Sequence, residues 1–202
     1  PAEPTKVNLI IDTHVHFGDP SRPHELLYRT EMPPVYEEVA LPHGITGVIH
    51  SETLGGPKEN RWILELAATN PLFRGRVGSL EPTSPDFAGH LKELASNALF
   101  CGIRVHDLDA VSATGNTGYL RNLEILADVD RALDIHLEYR YYDQAVVLAK
   151  RLPKLRMVLN HIGEGRPITG AQSNPDWAKA MERIAGYPNV FCKVSALVQM
   201  TE

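Results

Sequence analysis

Apolar and polar positions along the chain fall into two alternating patterns. The short runs "VNLIIDTHV", "TGVIHS", "GRVGSLE", "CGIRVH", "DIHLEY", "RMVLNHIG" and "NVFCKVS" are continuously apolar or alternate with period two, as buried strands do. Between them, "PKENRWILELAATN", "DFAGHLKELASN", "GYLRNLEILADVDRAL", "DQAVVLAKRL" and "NPDWAKAMERIAG" repeat apolar residues at the spacing of an amphipathic helix. Boundary residues support these segments: Asp143 suits an N-cap, Asn174 with Pro175 suits an N-cap and first helical position, and Gly186 suits a stop. Strand starts recur about every 20 to 40 residues, the size of a βα unit. Continuous apolar strands separated by helices predict a parallel sheet covered on its faces.

No Gly-x-Gly-x-x-Gly or phosphate loop follows the first strand, which weighs against a nucleotide-binding doubly wound sheet. Polar residues gather instead at strand ends, as they do in a (β/α)8 barrel. Seven strands are legible, and the sequence stops at "SALVQMTE" soon after the seventh. The expected fold is therefore α/β, a (β/α)8 TIM barrel forming a single domain over residues 1–202, with the eighth strand and C-terminal segment absent and completed beyond residue 202.

Within a strand, side chains alternate, so Asp12, His14 and His16 share one face while Ile11, Thr13 and Val15 share the other. Two inward imidazoles at i and i+2, near the end of a barrel strand, can converge on one ion. His161 ends the sixth strand and can add a third imidazole. On the fifth strand His136 and Glu138 share a face, and Glu138 is a candidate base acting on an activated water. The fourth strand carries Arg104, suited to a carboxylate, and His106, suited to a position over a reacting carbonyl. His50 and Glu52 end the second strand, and His50 is a candidate on the substrate side. Lys193 lies inside an apolar strand and needs either a structural partner or a contact with substrate. His24, His43 and His90 read as surface residues.

Composition narrows the chemistry. The 202 residues are 43% hydrophobic, ordinary for a folded soluble chain, with a net charge of −5 and no concentrated Lys/Arg tract, which excludes nucleic acid as the expected partner. No apolar run of about 18 residues occurs, so no membrane span is expected, and "PAEPTKVN" has neither a basic start nor an apolar h-region, so no retained signal peptide is expected. The expected compartment is the cytoplasm and the expected partner a small molecule, with a homo-oligomer compatible. Cys101 and Cys192 lie far apart in apolar runs and read as buried free thiols.

These pieces together resemble the amidohydrolase superfamily, specifically the amidohydrolase-2 type of metal-dependent (β/α)8 hydrolases and its branch of dicarboxylate and sugar lactonases. The resemblance rests on "IDTHVHF", "GIRVH", "LNHIGEG" in place of Asp-His-x-Gly, and "NVFCKVSAL" for the seventh strand, in order and at βα spacing. It implies that His14, His16 and His161 form the metal centre, with a divalent ion, zinc by preference, in a branch where tight metal retention is not universal. It also implies that Arg104 and His106 line the substrate pocket. The implied activity is hydrolysis of a small anionic carbonyl substrate such as a lactone; the runners-up are a non-oxidative decarboxylase of the same superfamily and a non-catalytic incomplete barrel. Asn160 and Ala196 replace the Asp and Gly usual in the family, and the acid–base Asp of a Ser-Asp-Trp-Pro-like eighth strand is not found.

Overall fold

The computed structural model describes residues 10–18, 32–53, 55–106, 115–164 and 174–197. Seven strands form one parallel sheet whose order follows the chain: β1 (Ile10–Val15), β2 (Ile45–Ser51), β3 (Phe73–Gly78), β4 (Phe100–His106), β5 (Ala132–His136), β6 (Met157–Leu159) and β7 (Val190–Cys192). The helices are α1 (Pro33–Ala40), α2 (Pro57–Thr69), α3 (Phe87–Ala95), α4 (Thr117–Asp128), α5 (Tyr142–Arg151) and α6 (Pro175–Ala185). Each strand pairs in parallel with its predecessor, the arrangement that a βα repeat enforces. The sheet curls: the ring of His14, on β1, lies only 4.5 Å from that of His161, just past β6. The architecture is the wall of a (β/α)8 barrel, seven strands of it among the described residues.

Alternation along the strands separates two environments. Ile103, Val105, Leu133, Ile135, Met157 and Leu159 pack outward with Leu91, Leu120, Leu123 and Leu148 of the helices in the main core. Arg104, Asp134 and Asn160 occupy the opposite phase, toward the barrel axis. A second cluster joins Val15, Phe17 and Val48 to Ile63 and Ala67 of α2. Asn116 and Asn174 cap α4 and α6 by accepting the amides of Tyr119 and Trp177, each at 3.0 Å. Asn189 donates to the carbonyls of Ala149, Leu152 and Leu155 and so ties off the end of α5.

Several expectations are corrected. Asp143 is not an N-cap; α5 begins at Tyr142, leaving Asp143 in the first turn, paired with Arg183 at 3.2 Å. Gly186 does end α6, but with right-handed φ of −69°. Helix α1 was not anticipated, because its eight residues begin with two prolines and show little apolar periodicity. Both cysteines are free as expected, yet Cys101 is only half-buried and Cys192 is exposed, on a strand that among the described residues pairs with β6 alone. His24 lies outside the described residues, and His43 is exposed. No helix among the described residues is long and apolar enough to cross a membrane.

Leu133 is fully buried between β5 and the helices. Leu133→Ala is expected to lower unfolding stability by about 2–5 kcal/mol through lost burial and a residual cavity, read as a reduced urea midpoint.

Candidate active site

Period-two alternation brings His14 and His16 to the end of β1, and their surroundings set what each ring can do. Asp12 fixes the backbone there: Oδ1 accepts the His14 amide at 3.0 Å and Oδ2 accepts the Tyr36 hydroxyl at 2.9 Å. His16 Nδ1–H donates to the Ser51 carbonyl at 3.3 Å, with Thr53 Oγ1 at 3.5 Å, which leaves the Nε2 lone pair unused. His161 Nδ1 lies 2.9 Å from Ser195 Oγ. Neither ring nitrogen of His14 has a hydrogen-bond partner among the described residues, although both are buried.

The rings form an arc across the barrel mouth. His14 is 5.0 Å from His16 and 4.5 Å from His161, His161 is 5.7 Å from His136, and His136 is 5.6 Å from His106, centroid to centroid. The sequence-expected trio of His14, His16 and His161 is thus assembled side by side. Burial, followed by the charge of Lys193, pushes the pKa of His14 down to about 2. Burial and then Arg104 lower His16 to about 4; burial, opposed by Glu164, lowers His161 to about 4. All three are neutral at pH 7, the form in which imidazole binds metal.

Glu164 joins this group and was not anticipated. Its Oε1 is 2.9 Å from His136 Nε2, and the donor atoms of His136, His161 and Glu164 all lie within 4.8 Å of one another. A run of left-handed residues carries it there: His161, Ile162, Gly163 and Glu164 have φ of 51°, 46°, 71° and 55°. Left-handed backbone is costly for a β-branched residue such as Ile162. Neighbours hold it in place, since Ile162 donates to Lys193 O and accepts from Trp177 Nε1, both at 2.9 Å. Gly163 is required twice over, by its φ and because a Cβ would meet the Tyr142 hydroxyl. The signal in the sequence was the "HIGEG" segment, whose glycines flank a carboxylate three residues from a histidine.

The remaining expected residues divide by surroundings. Arg104 is buried, with Nη1 3.5 Å from the Glu52 carbonyl and 3.8 Å from its carboxylate, and its Nε has no partner among the described residues. His106 is half exposed at the mouth, 3.4 Å from Glu52 Oε2. Lys193 Nζ donates to Asp134 Oδ2 at 2.5 Å, and Asn160 donates to the same oxygen at 3.2 Å. Glu138 is engaged by Nε of Arg140 at 2.6 Å and by its Nη2 as well. His50 is fully buried, its Nε2 accepting the Phe17 amide at 2.9 Å and its Nδ1 facing the Arg76 guanidinium. Arg76, also fully buried, was passed over although it interrupts an apolar strand just as Lys193 does.

A curled parallel sheet with neutral, half-buried histidines and a carboxylate at its carboxyl-terminal mouth is the layout of a barrel enzyme site. The family described as Amidohydrolase matches residues 11–202, and the chain belongs to it. Its class is that of a hydrolase. The chain is 26% identical over 197 residues to an L-fucono-1,5-lactonase of Burkholderia ambifaria, covering 93% of this chain and 67% of the lactonase. Its fold is similar to that of an amidohydrolase from Burkholderia multivorans solved with bound zinc, with a TM-score of 0.84 and 22% identity over 96% of this chain and 72% of that one. A probable 2-pyrone-4,6-dicarboxylic acid hydrolase from Acinetobacter baumannii, solved with citric acid, gives a TM-score of 0.77 at 16% identity, over 95% of this chain and 72% of that one.

Two outcomes are expected from these surroundings. Unfolded imidazoles take up protons near pH 6.5, whereas folded His16 and His161 refuse them until about pH 4. The unfolded state therefore binds more protons in that window, and thermal stability falls as pH drops from about 7 toward 4. Separately, Lys193→Met leaves Asp134 buried without its cation and is expected to cost about 3–5 kcal/mol, most of it recovered by Lys193→Met with Asp134→Leu. Unchanged denaturation midpoints in Lys193→Met would assign Lys193 to substrate alone.

Proposed function

We propose that this chain carries the active site of a lactonase, in which water adds to the carbonyl carbon of a small cyclic ester and the ring C–O bond breaks to give a hydroxy acid. The observation that carries the reading is His14: a half-buried imidazole whose two buried nitrogens have no partner among the described residues, flanked by two other neutral imidazoles. Such an orphan is satisfied by a cation, and the nitrogen-rich donor set suits zinc. His14, His16 and His161 would hold the ion, with His136 and Glu164 adjoining. A divalent ion bound there supplies Lewis-acid polarisation and a more acidic water.

The chain's own groups divide the rest of the work. Arg104, whose buried Nε has no partner among the described residues, binds the carbonyl or an anionic substituent of the substrate, which favours small anionic lactones. Lys193, tied to Asp134, adds positive charge near the arc rather than a free contact. His106, half exposed above Glu52, meets the substrate at the mouth and can protonate the departing alkoxide. Glu164, against His136, is placed to accept the proton of water; Glu138 is held by Arg140 instead. His50 supports the site from below.

Lactone opening by the metal-loaded protein is expected for a panel of sugar 1,5-lactones and carboxylated lactones, followed by acid release. Chelation, His14→Ala and His161→Ala should each lower kcat/KM by about 100-fold or more. Turnover that survives both variants removes the reading, and CO2 release from an aromatic acid without lactone opening replaces it with a decarboxylase.

A further inference from the structure

Arg104 and His106 share one buried partner, Glu52, which stands a single residue past the end of β2 and is only 6% exposed. Its Oε2 lies 3.4 Å from His106 Nε2 and 3.8 Å from Arg104 Nη1, and its backbone carbonyl accepts from the same Arg104 Nη1 at 3.5 Å. Oε2 has no hydrogen-bond partner among the described residues, so both contacts are ion-pair separations that converge on one oxygen. The other oxygen, Oε1, lies toward Gly55, where a Cβ would stand 3.4 Å from it. Burial by itself raises the pKa of Glu52, but contact with His106 and the charges of His106, Arg104 and Arg76 outweigh it, and the net displacement is downward. Glu52 is therefore ionised at pH 7 and can only accept.

We infer that Glu52 is the positioning residue of a carboxylate–imidazole dyad with His106, and that it makes Nδ1 of His106 the atom that hands a proton to the departing alkoxide. An acceptor-only oxygen facing Nε2 requires a proton on that nitrogen in either charge state of the ring. The ring then exchanges protons with substrate only through Nδ1. In the step itself the Nδ1–H bond breaks as the lactone C–O bond opens and an O–H bond forms on the leaving oxygen. The imidazolium becomes a neutral imidazole with its remaining proton on Nε2, and solvent recharges it because His106 is about half exposed. Arg104, two residues back on the same face of β4, is held to the same Glu52 oxygen, so the group that binds the substrate and the group that protonates it keep a fixed separation. Glu52 also lies between Ser51 and Thr53, whose carbonyl and hydroxyl face His16 Nδ1. Three consecutive residues thereby tie the His16 side of the site to the leaving-group side. The dyad's part in the reaction rests on the lactonase reading, yet its geometry is measurable without substrate.

Long-range proton–nitrogen NMR of the substrate-free protein, recorded where the ring is neutral, reads the tautomer of His106. Wild type is expected to hold the proton on Nε2 alone, and Glu52→Gln, whose amide donates as well as accepts, should give an exchanging mixture of both tautomers. A wild-type proton on Nδ1 overturns the dyad, whether or not the variant folds, and so does an unchanged tautomer in Glu52→Gln. Kinetics of the metal-loaded protein then compare δ-valerolactone, which opens to an alkoxide, with dihydrocoumarin, which opens to a phenolate that leaves without an acid. Glu52→Gln should lower kcat for δ-valerolactone by about 10- to 100-fold and for dihydrocoumarin by about threefold or less. In a His106→Ala background the same substitution should no longer separate the two lactones. Equal losses on both lactones in the wild-type background, as a purely structural role would give, overturn the part assigned to Nδ1. Absence of lactone opening in wild type defeats the lactonase reading, while the His106 tautomer still decides the role of Glu52.

Discussion

The ion pair between Lys193 and Asp134 is the contact on which the inner wall depends. Asp134 comes from β5, Lys193 from the end of β7, and Asn160, which shares the same carboxylate oxygen, from the end of β6. One buried oxygen of β5 therefore ties together residues at the ends of β6 and β7 on the axial side. Removing charge from water is costly unless a counter-charge and hydrogen bonds compensate, and here both come from neighbouring strands in fixed register. The positive charge of Lys193 then reaches His14 and adds to burial in keeping that ring unprotonated. A structural pair and the ligand chemistry of the site are in this way a single arrangement.

The outward half of the fold was legible because period carries it. Runs such as "CGIRVH" and "DIHLEY" became β4 and β5 within two or three residues of the expected bounds, and Leu133 and Ile135 took the helix-facing side that alternation demanded. The boundaries that failed did so locally. The pattern in "GYLRNLEILADVDRAL" runs on past Asp128, but Asp130 adopts a left-handed conformation with φ of 56°, which ends α4 and releases Ala132 and Leu133 into β5.

The inward half was only partly legible, since side-chain partnership depends on strands distant in sequence. His14, His16 and His161 could be grouped because a His-x-His at a strand end restricts where a third imidazole is useful. Glu138 shared a strand face with His136, yet Arg140, two residues on, claims its carboxylate. Glu164 reached His136 by a route that no regular period describes. Arg76 and Lys193 carried the same signal, a cation within an apolar strand, but only the three-dimensional register distinguishes a residue under the arc from one that closes a seam.

The left-handed turn from His161 to Glu164 has a consequence for how this sequence can vary. Most surface turns accept an added or deleted residue, because their ends are close and nothing inside them is counted. Here the count itself is functional: one residue more or fewer would turn His161 away from His14 or Glu164 away from His136, and would break the hydrogen bonds of Ile162 to Lys193 and Trp177. The segment is fixed in length as well as in shape. Drift is confined to substitutions that tolerate its conformation, with position 163 closed to any side chain.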